Sequence, residues 1–317
     1  GITALFATKI LGPRRGRFYD EQGRPLATPE EIQGSSIALQ MLGCFVLWFG
    51  WYGFNVGSAL MLDSPSKGEI ASLVGVNTTL SAGSGCLAAL FLNLVVMERL
   101  TGESFFDLRF AMNGTLSGLV AITGSCGVVE PWAAISIGFV AGVIYILGTN
   151  LLIRLRIDDA VDGVPIHMMN GIWGMLATGL FAAPERMDVV FHREIAHVGW
   201  VYDGNDPTLL AAQIVGIVFI CCWTFCFMFP FFIWLDWMGW FRSDSLEEIV
   251  GLDRSYHGGV VLFNESEGIK PEYIDAFNKR REEKMRIDEY ESRSQRSVVT
   301  NTTEPANQLE EESGLPS

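Results

Sequence analysis

Apolar residues run along this chain in blocks long enough to cross a bilayer, and the polar residues fall between those blocks. A membrane helix needs roughly 20 apolar residues. Six stretches meet that length: 35–62, 71–97, 110–129, 132–153, 162–183 and 208–238. Residues 1–12 look like the end of a further span. The pattern changes at about residue 240. Charges are sparse before it and dense after it, which predicts a membrane body at 1–240 and a soluble tail at 241–317, largely disordered after about 260. The fold class predicted is all-α, a polytopic membrane helix bundle.

Composition sharpens this. The 317 residues are 49% hydrophobic and 18% charged, where soluble domains carry about 25% charged residues. The net charge of −14 does not describe an acidic soluble protein, because much of it lies in the tail. No basic stripe or base-stacking pattern points to nucleic acid. Cys44, Cys86, Cys126, Cys221, Cys222 and Cys226 all lie in apolar runs without paired histidine spacing, so core thiols are expected and no metal or cofactor.

Positive charge in short loops sets orientation. Loops 9–34, 98–109 and 154–161 carry Lys9, Arg14, Arg15, Arg17, Arg24, Arg99, Arg109, Arg154 and Arg156. Loops 63–70, 130–131 and 184–207 carry only Lys67, Arg186 and Arg193, beside acids such as Asp63, Glu69, Glu130 and Glu194. The first set, and with it the C-terminus, is predicted to be cytoplasmic. The acidic outer loops would attract cations. Gly114 with Gly118 and Gly138 with Gly142 form small-xxx-small faces that let helices approach closely in lipid. Trp132, Trp234, Trp237 and Trp240 stand near span ends as interface anchors.

The stretch 158–174 holds the candidate chemistry: Asp162, Pro165, His167 and Asn170 precede or enter an apolar span. Pro165 frees backbone carbonyls just before the histidine. Polar groups in lipid are costly and face a pathway or a partner. An uncharged imidazole can accept a proton or a hydrogen bond from a passing weak acid. A second cluster, WFGWYGFNVGS at 48–58, sets Trp51, Phe54, Asn55 and Ser58 at an outer mouth. Aromatic faces there can hold a small cation, worth about 0.5–2 kcal/mol, or form an aromatic belt.

These segments resemble the ammonium transporters of the Amt/Mep/Rh superfamily. Residues 48–58 are similar to the WFGWFGFNxGS stretch of that family, and NGTLSGLVAITGSCGVVEPWAA (113–134) to the signature that follows it in the Amt branch. DDAVDGVPIHMMNGIWGMLATGLFA (158–182) resembles the pore-histidine helix, and EEIVGLDRSYHGG (247–259) the start of the regulated tail. Residues 260–317 resemble nothing recognised.

The resemblance implies eleven membrane helices per subunit in two inverted repeats plus one, assembled as a homotrimer with a pore in each subunit. On it, residues 1–12 end the fifth helix, 35–183 are helices six to ten and 208–238 are the eleventh. The chain would then hold the second repeat, and the other pore histidine, the recruiting tryptophan and the other gate phenylalanine would lie upstream of Gly1. Phe54 matches a gate phenylalanine, Trp51 a pore-lining residue, Ser58 the serine of the outer cation site, His167 a paired pore histidine and Asp162 the acid before it. Asn170 stands where the family often has Gly, a departure that bears on helix packing or the pore wall. Ser255 takes the place of a Thr that plant relatives phosphorylate, which implies a kinase as regulatory partner.

The implied activity is passage of ammonium or methylammonium across a bilayer, expected to be the plasma membrane. An ammonium sensor signalling through the tail is the alternative. A Rh-type gas channel is a close relative, against which the NGTLSGLV and GLDRSYHGG runs argue. A membrane enzyme is disfavoured, since His167 has no HExxH partner, serine nucleophile or second metal ligand.

Overall fold

The structure is a computed structural model. It describes residues 1–32, 34, 36–59, 65–101, 106–191, 197–257 and 271–302. Asp63, Arg193, Glu194, Gly258 and Gly259 lie outside the described residues, as do the side chains of Lys67, Asp253 and Arg254 and the end of the tail after 302. The chain divides into two units, Gly1–Arg242 and Ser243–Ser317.

The first unit is a bundle of α1 (Ile2–Leu11), α2 (Ile37–Ser58), α3 (Pro65–Thr101), α4 (Leu108–Ile122), α5 (Pro131–Arg154), a π-turn (Val164–Met169) running into α6 (Asn170–Phe181), α7 (Pro184–Phe191) and α8 (Thr208–Trp237). Among the described residues four helices are long and apolar enough to cross a membrane: Ile37–Ser58, Gly68–Val95, Pro131–Arg154 and Thr208–Trp237. Local signals start several of them. The Ser36 hydroxyl accepts from the Leu39 N–H, the Asp107 carboxylate accepts from the Arg109 N–H, and Pro131 opens α5.

Two expected spans are interrupted. The stretch 110–129 stays helical only to Ile122. Beyond it come Gly124 and Gly127, weak helix formers. The Asn77 amide donates to the carbonyls of Cys126 and Val129, each at 2.8 Å, and so satisfies the open turn. Irregular backbone at membrane depth survives only where protein covers it, and Ser125 and Val129 are fully buried. The stretch 162–183 is broken at its start. Asp162 has a left-handed backbone with φ of 54°, and six residues of π-helix precede α6.

The core forms where α3 lies against α4 and α5. A Cβ at Gly118 would come within 2.2 Å of the Ser81 carbonyl oxygen, and one at Gly138 within 2.1 Å of the same atom. A Cβ at Gly114 or at Gly142 would come within 2.6 Å of the Gly85 carbonyl oxygen. Both small-residue faces read from the sequence therefore pack on a single helix, and the Ser81 hydroxyl donates to the Gly118 carbonyl at 2.8 Å.

Polar contacts gather the loops into two ends. At one end Arg14 grips Asp158 through Nε at 2.7 Å, Nη2 at 2.7 Å and its backbone N–H at 2.8 Å. Arg242 donates to the carbonyls of Leu11 and Pro13, and Arg109 pairs with Glu31 and Asp107. The described parts of the basic loops 9–34, 98–109 and 154–161 thus share one end. At the other end Arg186 pairs with Glu130 at 2.8 Å.

One expectation is corrected. Cys222 and Cys226 are exposed on α8 rather than in the core, because that helix turns most of its large side chains outward. Of the tail beyond 260, the described residues are 271–302. They form α11 (Pro271–Thr302) in a second unit with α9 (Ser245–Val250) and α10 (Leu252–His257). The run 279–286 is rich in Lys, Arg, Glu and Met, strong helix formers. Val250 and Phe277 are buried there, and Arg280 pairs with Asp244 at 2.9 Å.

Candidate functional site

His167 stands in the π-turn and lines a cleft of about 310 Å³. One wall is the π-turn and α6, with Met168, Gly171 and Met175. The facing walls are the start of α1, through Ile2 and Thr3, and α8, through Ile217, Ile220 and Thr224. At Gly1 a Cβ would stand 2.2 Å from the Met168 backbone nitrogen, so only glycine admits this approach of α1 to the histidine turn. Cys221 also lines the cleft.

Three aspartates frame the turn from one side. Asp162 accepts from the Tyr145 hydroxyl at 2.9 Å and from the Asn113 amide at 3.2 Å, both on Oδ2. Asp159 accepts from the Val164 N–H at 2.6 Å and so caps the start of the broken helix. Asp158, 3% exposed, takes the arginines of the loop after α1. Burial pushes the Asp158 carboxyl up, but the Arg14 hydrogen bonds and the charges of Arg14 and Arg17 outweigh it and hold the group below its ordinary value. Of these residues the sequence reading placed only Asp162 in a site. Tyr145, Asn113, Asp159 and the Arg14–Asp158 pair were missed. Asp159 reaches the helix start from five residues back, farther than an N-cap residue stands, so no capping pattern in the sequence pointed to it.

Asn170 is fully buried, and its amide donates to the Pro165 carbonyl at 3.0 Å. Trp173, one turn on, donates to the Ile137 carbonyl at 3.0 Å and ties α6 to α5.

The aromatic cluster lies elsewhere. Trp51 donates to the Thr123 hydroxyl at 2.9 Å, in the open turn after α4. Its ring meets Phe54 edge-on, with centroids 6.5 Å apart. Phe54 is 59% exposed and Ser58 is exposed in the last turn of α2. Asn55 is buried and donates to Thr78 at 3.0 Å. The structure brings Trp51 and Phe54 together but sets neither them nor Ser58 in the wall of the His167 cleft.

Near the other loops, the His197 ring meets Asp206 at 2.5 Å. Thr208 first, and then His197, hold that carboxyl at about 2. Gly199, Trp200 and Val201 donate to the carbonyls of Ala182, Gly179 and Leu180, so this loop closes the C-terminal end of α6. In the second unit, Ser255 donates to the Gly251 carbonyl at 3.0 Å, and the Tyr256 hydroxyl donates to Glu247 at 2.8 Å.

Long apolar helices, a mid-chain helix that opens on a π-turn at a proline and a histidine turned into a cleft define an integral membrane protein of the polytopic helical class. The chain belongs to the ammonium transporter family, whose model matches residues 1–261. It is 37% identical over 260 residues to ammonium transporter 3 of Dictyostelium discoideum, covering 82% of this chain and 57% of that protein. It is 38% identical to ammonium transporter 1 member 2 of Arabidopsis thaliana, covering 85% and 52%. Among solved structures, a sensor Amt protein aligns with TM-score 0.63 and 28% identity, over 80% of this chain and 56% of that one. Mep2 of Saccharomyces cerevisiae aligns with TM-score 0.60 and 28% identity, over 74% and 49%. The chain thus spans about half the length of the relatives it matches.

Proposed function

We propose that this chain forms the second half of an ammonium or methylammonium permease, with His167 lining the path of the permeating molecule. The observation that carries the reading is the position of His167: a histidine on a broken helix, turned into a cleft walled by α1, α6 and α8, in a chain of this family. A bare cation in a dry path costs many kcal/mol in lost solvation. In this reading ammonium sheds water at Trp51, Phe54 and Ser58 and gives up its proton there. Ammonia then passes His167, and the proton moves separately or returns outside. Asp162 anchors the entry to the histidine turn, and Asn55 and Asn170 support the helices behind it.

The body at 1–240 is then the end of the fifth helix through the eleventh, working as a homotrimer in the plasma membrane with the basic loops and the tail at 241–317 in the cytoplasm. His167→Ala in the full-length transporter, at equal surface expression, is predicted to abolish uptake or turn it into an unselective cation leak. Normal selective ammonium uptake in that variant refutes the reading.

A second reading, sensing through the tail, is favoured by the compact unit that α9, α10 and α11 form on their own. Within it Ser255 is the proposed target of a regulatory kinase. A phosphate adds about −1.5 to −2 charges, and it would replace a hydroxyl that donates inside the α9–α10 corner. Ser255→Asp should then silence uptake and Ser255→Ala preserve it; equal fluxes remove Ser255 from the mechanism.

A further inference from the structure

We infer that Asn170 is the positioning residue of His167: its side-chain amide and its backbone N–H together hold the π-turn that points the imidazole into the cleft. This role rests on the reading of His167 as the residue facing the permeating molecule.

The point from which the imidazole leaves the chain is set by the backbone that carries it, the π-turn Val164–Met169. That backbone is an unusual one. π-Helix is rare and occurs as short insertions within α-helices, frequently at functional sites. Pro165 lies inside it and has no N–H to offer the preceding turn.

Asn170 supplies two bonds across this segment. Its Nδ2 donates to the Pro165 carbonyl at 3.0 Å. Its backbone N–H donates to the carbonyl of His167 itself. One residue therefore fixes the carbonyl two positions before the imidazole and the carbonyl of the imidazole's own residue.

The two sides of the helix divide the work. His167, Met168, Gly171 and Met175 line the cleft. Asn170, Gly174 and Ala177 are buried, and Gly174 lies so close to α4 that a Cβ there would come within 2.5 Å of the Ala121 carbonyl oxygen. The turn is also seated from behind. A Cβ at Gly148 of α5 would stand 2.6 Å from the Met169 sulfur and 3.1 Å from the Pro165 Cβ.

The amide is an expensive way to fill this space. Its Oδ1 is buried with no partner among the described residues, an unfavourable state that an apolar side chain of equal size avoids. What the amide contributes is the bond to Pro165.

The test uses the full-length transporter in lipid nanodiscs, labelled with ¹⁵N-histidine, and needs no transport for its first readout. The His167 ring signals are assigned by their loss in His167→Gln. Asn170→Leu, close in size and without a donor, is expected to shift or broaden those signals while the other histidines keep theirs. Asn170→Gln, which retains the donor, should restore them in part. Asn77→Leu is the control. It removes an equally buried amide that holds carbonyls in the turn after α4, and it should leave the His167 signals in place.

Selective ammonium uptake by Asn170→Leu in proteoliposomes should fall by roughly tenfold to hundredfold, the scale set by a misplacement of about 1 Å at a working group. Should Asn170→Leu fail to fold, Asn170→Ala is read the same way. Unchanged His167 signals in a folded Asn170 variant overturn the inference, as does an equal shift in Asn77→Leu. If His167→Ala keeps normal uptake, the permease reading fails, while the ring signals still decide whether Asn170 positions His167.

Discussion

α5 and α8 are both apolar helices long enough to span a bilayer, yet they are used in opposite ways. In the most apolar window of α5, 44% of residues are buried inside the bundle; in that of α8, none are. α5 presents Ala133, Gly138, Ala141 and Gly142 to its neighbours, all small. α8 presents Phe219, Trp223, Phe227 and Trp237 outward, all 58% exposed or more. It touches the bundle through fewer elements, with Phe225 and Phe229 stacked edge-on against Phe6 of α1 at 5.3 and 5.7 Å. The difference teaches that apolarity places a helix in the membrane and size places it in the bundle. Lipid tails are as apolar as leucine, so helices gain little by hiding large apolar groups from lipid. They gain by close backbone approach, which only small residues permit.

The sharpest way to break that comparison is to enlarge α5 and trim α8. We predict that Gly138→Val prevents assembly of the bundle, because its Cβ meets the Ser81 carbonyl oxygen at 2.1 Å and that atom belongs to backbone on a packed helix. Phe219→Leu should shift stability by no more than about 0.5 kcal/mol. Size-exclusion profiles and thermal melts of the two variants in detergent decide the matter. Equal losses in both would mean that α8 is packed as tightly as α5.

A smaller effect separates two ion pairs at the basic end. Arg14 and Arg17 face an Asp158 carboxylate that is 3% exposed, whereas Arg24 faces Asp20 in the open. Arg14→Ala leaves a buried carboxylate short of donors and should cost about 1–3 kcal/mol. Arg24→Ala should leave stability unchanged within error. The Asp158 carboxyl is held below its ordinary value of 3.8. Its stabilising contribution is therefore present above that value and is lost as pH falls below it. Melting temperatures measured from neutral pH down to the acid range should fall less steeply in Arg14→Ala than in the parent chain. Parallel curves would show that the pair adds nothing to the fold.

Much of this was legible in the residues themselves. Four of the six apolar runs match membrane-length helices to within a few residues, because the length of hydrocarbon to be crossed is fixed. Gly114 with Gly118 and Gly138 with Gly142 were recognisable as packing faces, and the basic loops as a group, since arginine in a short loop has few other reasons to cluster. His167 stood out because a polar ring in an apolar run must face something. The frame around it was much harder to see. Tyr145 and Asn113 lie 17 and 49 residues from the carboxylate they serve, and sequence periodicity carries no information at that distance.

By itself, then, the sequence determined which segments enter the membrane, since transfer of an apolar helix depends on its own composition. Three matters waited on tertiary structure. The span at 110–129 stops at Ile122 because Asn77 of α3 takes the carbonyls of Cys126 and Val129. The helix bearing His167 starts as a π-turn that Asn170 and the glycine seat at Gly148 hold. Trp51 and Phe54 meet one another rather than the histidine cleft. Asn77 lies 49 and 52 residues from the carbonyls it holds, Gly148 belongs to a different helix from the turn it seats, and the Trp51–Phe54 pair, one turn apart on α2, stands where the packing of α2 puts it; only the packing of one helix on another sets these positions.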